Sequence, residues 1–147
     1  MRPLVTFAAI LLMTMSALAR QDTEETVSYV PREQVAEALA NSGLMVNGLD
    51  FTIIGAHRDA GVGQPESHAN VTDIYYITKG AGTLVTGGRL EGSRETRPGE
   101  MIGGRLIGGE ERQVSMGDVV AIPPGIPHWY KEVPDEISYY LIKVIRD

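Results

Sequence analysis

Two histidines and the carboxylates around them are the residues of this chain best suited to chemistry. His68 lies in the segment ESHANVTDIYYITKG, from Glu66 to Gly80, and His128 ends GDVVAIPPGIPH, which starts at Gly117. Each segment joins a strand-like apolar run to glycine or proline turns. Two neutral imidazoles and a carboxylate make a facial-triad donor set, which suits Fe(II) and accommodates Mn, Ni, Co or Zn. His68, Asp73 and His128 supply that set if the fold gathers them. The fourth position falls to Glu66, Asn70 or water. Alternation along an extended chain places Glu66 and His68 on one face, with Asn70 on the same face if the strand persists. By the same rule Asp73 shares its face with Tyr75 and Ile77. Pro123, Pro124 and Pro127 restrict the backbone ahead of His128 and so set where its ring points. Taken alone, His128 reads more simply as a histidine packed beside Trp129 with one ring nitrogen bonded to a carbonyl. The first segment turns that reading toward a metal ligand.

The elements that must position these residues are mostly strands. Phe51 to Ala56, Ile74 to Thr78, Thr83 to Thr86, Val119 to Ile122 and Ile137 to Ile145 are rich in β-branched and aromatic residues. Each is bounded by glycine, proline or aspartate turns. Shorter candidates lie at Arg105 to Ile107 and Arg112 to Ser115. One helix precedes them, PREQVAEALANSG from Pro31, with Val35, Ala38 and Leu39 as its apolar stripe and Asn41-Ser42-Gly43 as its stop. The 17 glycines cluster where strands would turn, as at Gly61/Gly63, Gly80/Gly82, Gly87-Gly88 and Gly108-Gly109. IGGRLIGGE, from Ile102 to Glu110, has neither a Walker lysine nor a following helix, so it reads as a tight hairpin or bulge rather than a phosphate loop. Short strands after one helix predict an all-β fold, a small jelly-roll barrel or sandwich.

The ends and the composition narrow the setting. Arg2, the uncharged apolar run from Leu4 to Met15, and Ala17-Leu18-Ala19 have the layout of a secretory signal peptide cleaved after Ala19. That run is short for a membrane span, which takes about 20 residues. Of 147 residues, removal of 19 leaves 128, enough for one domain. The expected order is a signal peptide at 1–19, a polar amino-terminal stretch and short helix at 20–48, and the barrel at 49–147. With no cysteine, the exported product has neither a disulfide nor a lipidated thiol, and apolar burial or a partner subunit must stabilise it. Loss of Arg2 moves the formal net charge from -6 to -7, which disfavours nucleic acid and anionic membrane surfaces as partners.

At these residues the chain resembles the cupin superfamily. The second cupin motif, G-x5-P-x-G-x2-H-x3-N, finds Gly117, Pro123, Gly125 and His128 in place, with Glu132 replacing the final asparagine. The first motif, G-x5-H-x-H-x(3,4)-E-x6-G, is degraded. Asp73 stands where the metal-binding glutamate belongs, with six residues between it and Gly80, and His68 matches the second histidine. Glu66 then occupies the first histidine's place. A rival alignment puts His68 first and Asn70 second. The resemblance covers roughly Phe51 to Ile145 and implies a jelly-roll barrel, often a homodimer, with a divalent metal near its centre.

Two functions follow as expectations. One is an exported, metal-dependent enzyme acting on a small oxygenated molecule, by isomerase, lyase or oxygenase chemistry. Glu66 is then a fourth ligand or general base, and Tyr75 a candidate to meet substrate. Beside a divalent cation Glu66 favours its ionised form, which makes it a poor acid. The other is a binding domain that holds a small ligand without turning it over. His57 reads as a pocket wall or a core-edge histidine, on the face opposite Arg58.

Overall fold

The structure, a computed structural model, describes residues 26–146. It has one helix, α1 (Arg32–Asn41), and eleven strands: β1 (Gly43–Asn47), β2 (Phe51–Gly61), β3 (Glu66–His68), β4 (Val71–Thr86), β5 (Arg89–Glu91), β6 (Arg94–Arg97), β7 (Glu100–Ile102), β8 (Arg105–Ile107), β9 (Glu110–Ser115), β10 (Val119–Ile122) and β11 (His128–Ile145). The predicted all-β fold with one amino-terminal helix is therefore present. The predicted signal peptide lies outside the described residues. Among the described residues no helix is long and apolar enough to cross a membrane.

Two strands organise the molecule, and both are longer than their apolar runs suggest. β4 and β11 pair antiparallel from Val71↔Ile145 to Thr86↔His128, with register shifts between Tyr130 and Glu132, Glu132 and Ile137, and Ser138 and Tyr139. The ribbon bends at these shifts. Gly80 sits at the bend with φ +73, and a Cβ there would collide with the carbonyl of Glu136. Only glycine combines that backbone with that approach. One arm of the ribbon is extended by β2 and β10, the other by β3 and β9.

The two arms bury their facing sides against each other. Tyr75, Ile77, Ile122, Ile137 and Tyr139 come from the first arm and its neighbour β10, and Leu84, Val114 and Tyr130 from the second with β9; Val133 fills the bend. Tyr75 lies 6.2 Å from Tyr130 and 4.9 Å from Tyr139, centroid to centroid, within the offset aromatic range. Alternation is kept: Tyr75 is buried and Tyr76 exposed. α1 packs on β2, where Gly55 lets the Ala38 backbone approach too closely for any side chain. The helix stops where the sequence predicts, although Ser42, not Gly43, takes the left-handed turn at φ 58. β1 follows at once and pairs with β2, a strand with no counterpart in the sequence reading.

Gly87-Gly88 and Gly108-Gly109 belong to one long hairpin. Ala81↔Ser115 to Thr86↔Glu110, Arg89↔Ile107 to Glu91↔Arg105, and Arg94↔Ile102 with Glu95↔Met101 all keep the same pairing offset. Gly87-Gly88 facing Gly108-Gly109, and Gly92-Ser93 facing Gly103-Gly104, interrupt it as corners. IGGRLIGGE thus holds two corners of a hairpin rather than a turn of its own. The hairpin's tip folds β7 onto β3, setting His68 opposite Glu100. The sheet path runs from β1 to β6, so its hydrogen bonds do not close on themselves among the described residues.

Candidate metal centre

The bend in the β4–β11 ribbon brings its two ends together. Asp73, near the start of β4, and His128, the first residue of β11, meet across the interior, with Asp73 Oδ2 3.4 Å from His128 Nε2. β3 adds Glu66, paired directly with His128, and then His68. His68 Nε2 is also 3.4 Å from Asp73 Oδ2, and Glu66 Oε1 is 3.6 Å from His128 Nε2. Donors 2.0–2.2 Å from a central ion at tetrahedral angles lie about 3.3–3.6 Å apart, so these separations suit one small divalent cation. Atoms of Glu66, His68 and His128 lie within 4.8 Å of one another and could chelate one ion.

The outer ring nitrogens are already committed. His128 Nδ1 is 2.9 Å from the carbonyl of Ile126, which can only accept, so that nitrogen carries the hydrogen. His68 Nδ1 is 2.6 Å from Glu100 Oε2 and donates in the same way. Both rings therefore turn Nε2 inward. His128 Nε2 is buried and has no hydrogen-bond partner among the described residues. A buried orphan of this kind costs about 1–3 kcal/mol unless something binds it, and a metal ion is the partner the surrounding donors suit.

The electrostatics call for positive charge. Burial would raise the carboxyl of Asp73, but the two imidazoles facing it and the Lys143 ammonium hold it well below the usual range. Burial likewise opposes ionisation of Glu66, yet the facing His128 keeps it lowered. Burial would discharge His128, and its contacts with Asp73 and Glu66 instead push it up to about 9. His68 is also raised, burial being outweighed by the facing Asp73 carboxylate. A second proton on each ring and a metal ion compete for the same Nε2 lone pair.

Of the residues singled out from sequence, the structure gathers Glu66, His68, Asp73 and His128. Asn70 is exposed, because β3 ends at His68 and Ala69-Asn70 form the turn into β4. Its position favours the alignment that sets Glu66 in the first histidine's place. Tyr75 is buried with its ring edge toward His128, centroids 6.3 Å apart. Burial, reinforced by Tyr139 and the nearby carboxylates, raises its phenol, so it stays protonated at neutral pH. His57 lies away from the cluster, bonded to Ser138 Oγ at 2.9 Å. Arg58, on the opposite face as expected, reaches Tyr139 Oη at 3.1 Å. Trp129 faces away from His128 and lines a groove with Pro65, Arg105 and Ile107.

Sequence reasoning missed Glu100 and Lys143. Lys143 had a readable signal: it is the one charge in ISYYLIKVI, on the same alternating face as Ile137, Tyr139 and Leu141. Glu100 had none, since its place beside His68 comes from the hairpin tip.

Comparison with known proteins places this geometry. No curated protein sequence matches the chain. Among solved structures, a Bacillus halodurans protein aligns at TM-score 0.58 and 15% identity, covering 86% of each chain. A Streptococcus pyogenes protein of unknown function aligns at 0.51 and 18%, covering 72% of this chain and 74% of its own. A cupin with a double-stranded β-helix fold from Methanocaldococcus jannaschii aligns at 0.50 and 17%, covering 71% and 79%. These likenesses concern the fold. The sequence profile of the family Cupin matches residues 34–143, which span every residue of the cluster, and the chain belongs to that family.

Proposed function

We propose that this cupin is an exported, metal-dependent enzyme acting on a small oxygenated substrate. The observation that carries the reading is the buried, unpartnered Nε2 of His128, facing two carboxylates and a second imidazole. His68, His128 and Asp73 would hold Fe(II), Mn, Ni or Zn, with Glu66 as a fourth ligand or as the general base. A divalent ion there supplies Lewis acidity toward a carbonyl or adjacent oxygens, or, as Fe(II), reactivity toward dioxygen. The Ile126 carbonyl and Glu100 keep the two imidazoles in the metal-binding tautomer. Glu66 is ionised and 29% exposed, and so is placed to take a proton from a bound substrate. Tyr75, kept protonated, can serve as a neutral hydrogen-bonding group but not as a base. Substrate approaches from the side of Glu66, Glu100 and Lys143, since Tyr75, Tyr130 and Tyr139 fill the interior behind the cluster.

Metal analysis of purified protein, repeated on His68→Ala and His128→Ala, tests the site; equal metal in all three rejects it. Turnover of small hydroxy- and oxo-acids and diols tests catalysis. It should vanish on chelation, and in Glu66→Gln if metal is retained. Glu66 in place of the first motif histidine supports a second reading, a domain that binds a small ligand without turning it over. Metal-dependent binding with no turnover would select it. Export rests on the apolar run from Leu4 to Met15 and is checked by the amino-terminal sequence of the mature protein. A homodimer is supported by the exposed outer face where Tyr76 stacks on Tyr140 beside Val119, and light scattering would test it.

A further inference from the structure

We propose that Lys143 is a built-in cation of this site, one that a divalent metal must displace in order to bind. The inference rests on the metal-site reading above and adds an occupant to it. Lys143 pairs with Asp73 across the β4–β11 ribbon, so both side chains leave the same face at the same level. The ammonium nitrogen lies 2.9 Å and 3.2 Å from the two Asp73 oxygens and 3.1 Å from His68 Nε2. These are donor atoms the metal needs. His68 Nδ1 already carries the hydrogen given to Glu100, so His68 Nε2 has a single lone pair, and here it accepts from Lys143.

One lone pair cannot serve an ammonium and a metal together. A divalent ion about 2.0–2.2 Å from His68 Nε2 and Asp73 would also crowd the ammonium at full charge repulsion. The two cations are therefore alternative occupants. Exchange needs no backbone movement: the Lys143 side chain is 25% exposed, and its four-carbon stem can carry the ammonium out to water. Apparent metal affinity is then the intrinsic affinity scaled by the fraction of molecules with the lysine withdrawn. His128 Nε2 has no hydrogen-bond partner, so the lysine covers only one side of the donor set. That leaves a first foothold for an arriving ion.

Two measurements test this. Titration of chelator-stripped protein with Ni(II) and Zn(II) should show Lys143→Met binding at least about tenfold more tightly than wild type. Equal or weaker binding by a folded Lys143→Met would overturn the proposal while leaving the metal site standing. No binding by either protein would remove the metal reading and the proposal with it. The second measurement uses wild type alone and so does not depend on the variant folding. Acylation of Lys143 by an amine-reactive reagent, followed by mass spectrometry, should rise severalfold when Zn(II) is saturating, with exposed Lys131 unchanged as the control. Unchanged or reduced labelling of Lys143 on saturation would refute displacement.

Discussion

Asp73→Asn isolates the charge on which the site is built. The replacement keeps the size and shape of a side chain that is 1% exposed and removes its negative charge. In metal-free protein that charge faces the Lys143 ammonium at 2.9 Å and two imidazoles at 3.4 Å. At an effective dielectric of about 20, the ammonium contact alone amounts to about 5–6 kcal/mol of attraction, much of which repays desolvation. Removing one partner of a buried pair costs about 3–5 kcal/mol. Lys143 can move its charge toward water, which brings the expected loss down to about 2–3 kcal/mol. For a domain of this size that corresponds to a fall in Tm of about 8–12 °C. The assay is urea denaturation of both proteins in chelator, followed by tryptophan fluorescence. The Asp73 carboxyl is held below its unfolded value, so its stabilisation is complete above about pH 4 and declines as the pH falls below that. The gap between the proteins should narrow in the same range. A variant within about 0.5 kcal/mol of wild type at pH 6 would refute the reasoning.

Four further outcomes are expected. His128 is raised to about 9, so in chelator its contribution is full below the unfolded value of about 6.5 and is lost as the pH rises through 9; denaturation midpoints from pH 6 to 10 should show that decline, flattened in Asp73→Asn. Glu100→Gln should weaken metal binding about 10–100-fold by loosening the ring of His68, with a nearly unchanged midpoint in chelator. Gly80→Ala should lose several kcal/mol and metal binding together, because the ribbon cannot bend, whereas Gly92→Ala, at a similar φ of +71 but with open space around it, should cost about 1–2 kcal/mol and keep metal. Calorimetry should show Ni(II) or Zn(II) at 100 times its Kd stabilising wild type by about 2.7 kcal/mol, and His128→Ala by far less.

Local chemistry made much of this protein legible from its residues. β-branched and aromatic runs between glycine and proline turns specify strands wherever they fall. Alternation therefore placed Tyr75 on the face of Asp73, and the stop at Asn41-Ser42-Gly43 ended α1 where expected. Alternation put Glu66 on the face of His68 and Asp73 on that of Tyr75, because side chains two apart on a strand share a face whatever the strand packs against, and donor chemistry with the motif resemblance singled out His68, Asp73 and His128. What no local pattern contains is pairing between distant segments. Lys143 lies 70 residues from Asp73 and Glu100 lies 32 from His68. One meets its partner through the register of β4 on β11, the other through a hairpin whose tip folds onto β3. Whether Glu66 or Asn70 joins the cluster turned on a single tertiary fact, that β3 stops at His68. The convergence of the ribbon's two ends depends on its bend at Gly80, and only the opposite strand, whose Glu136 carbonyl leaves no room for a side chain there, makes that glycine obligatory.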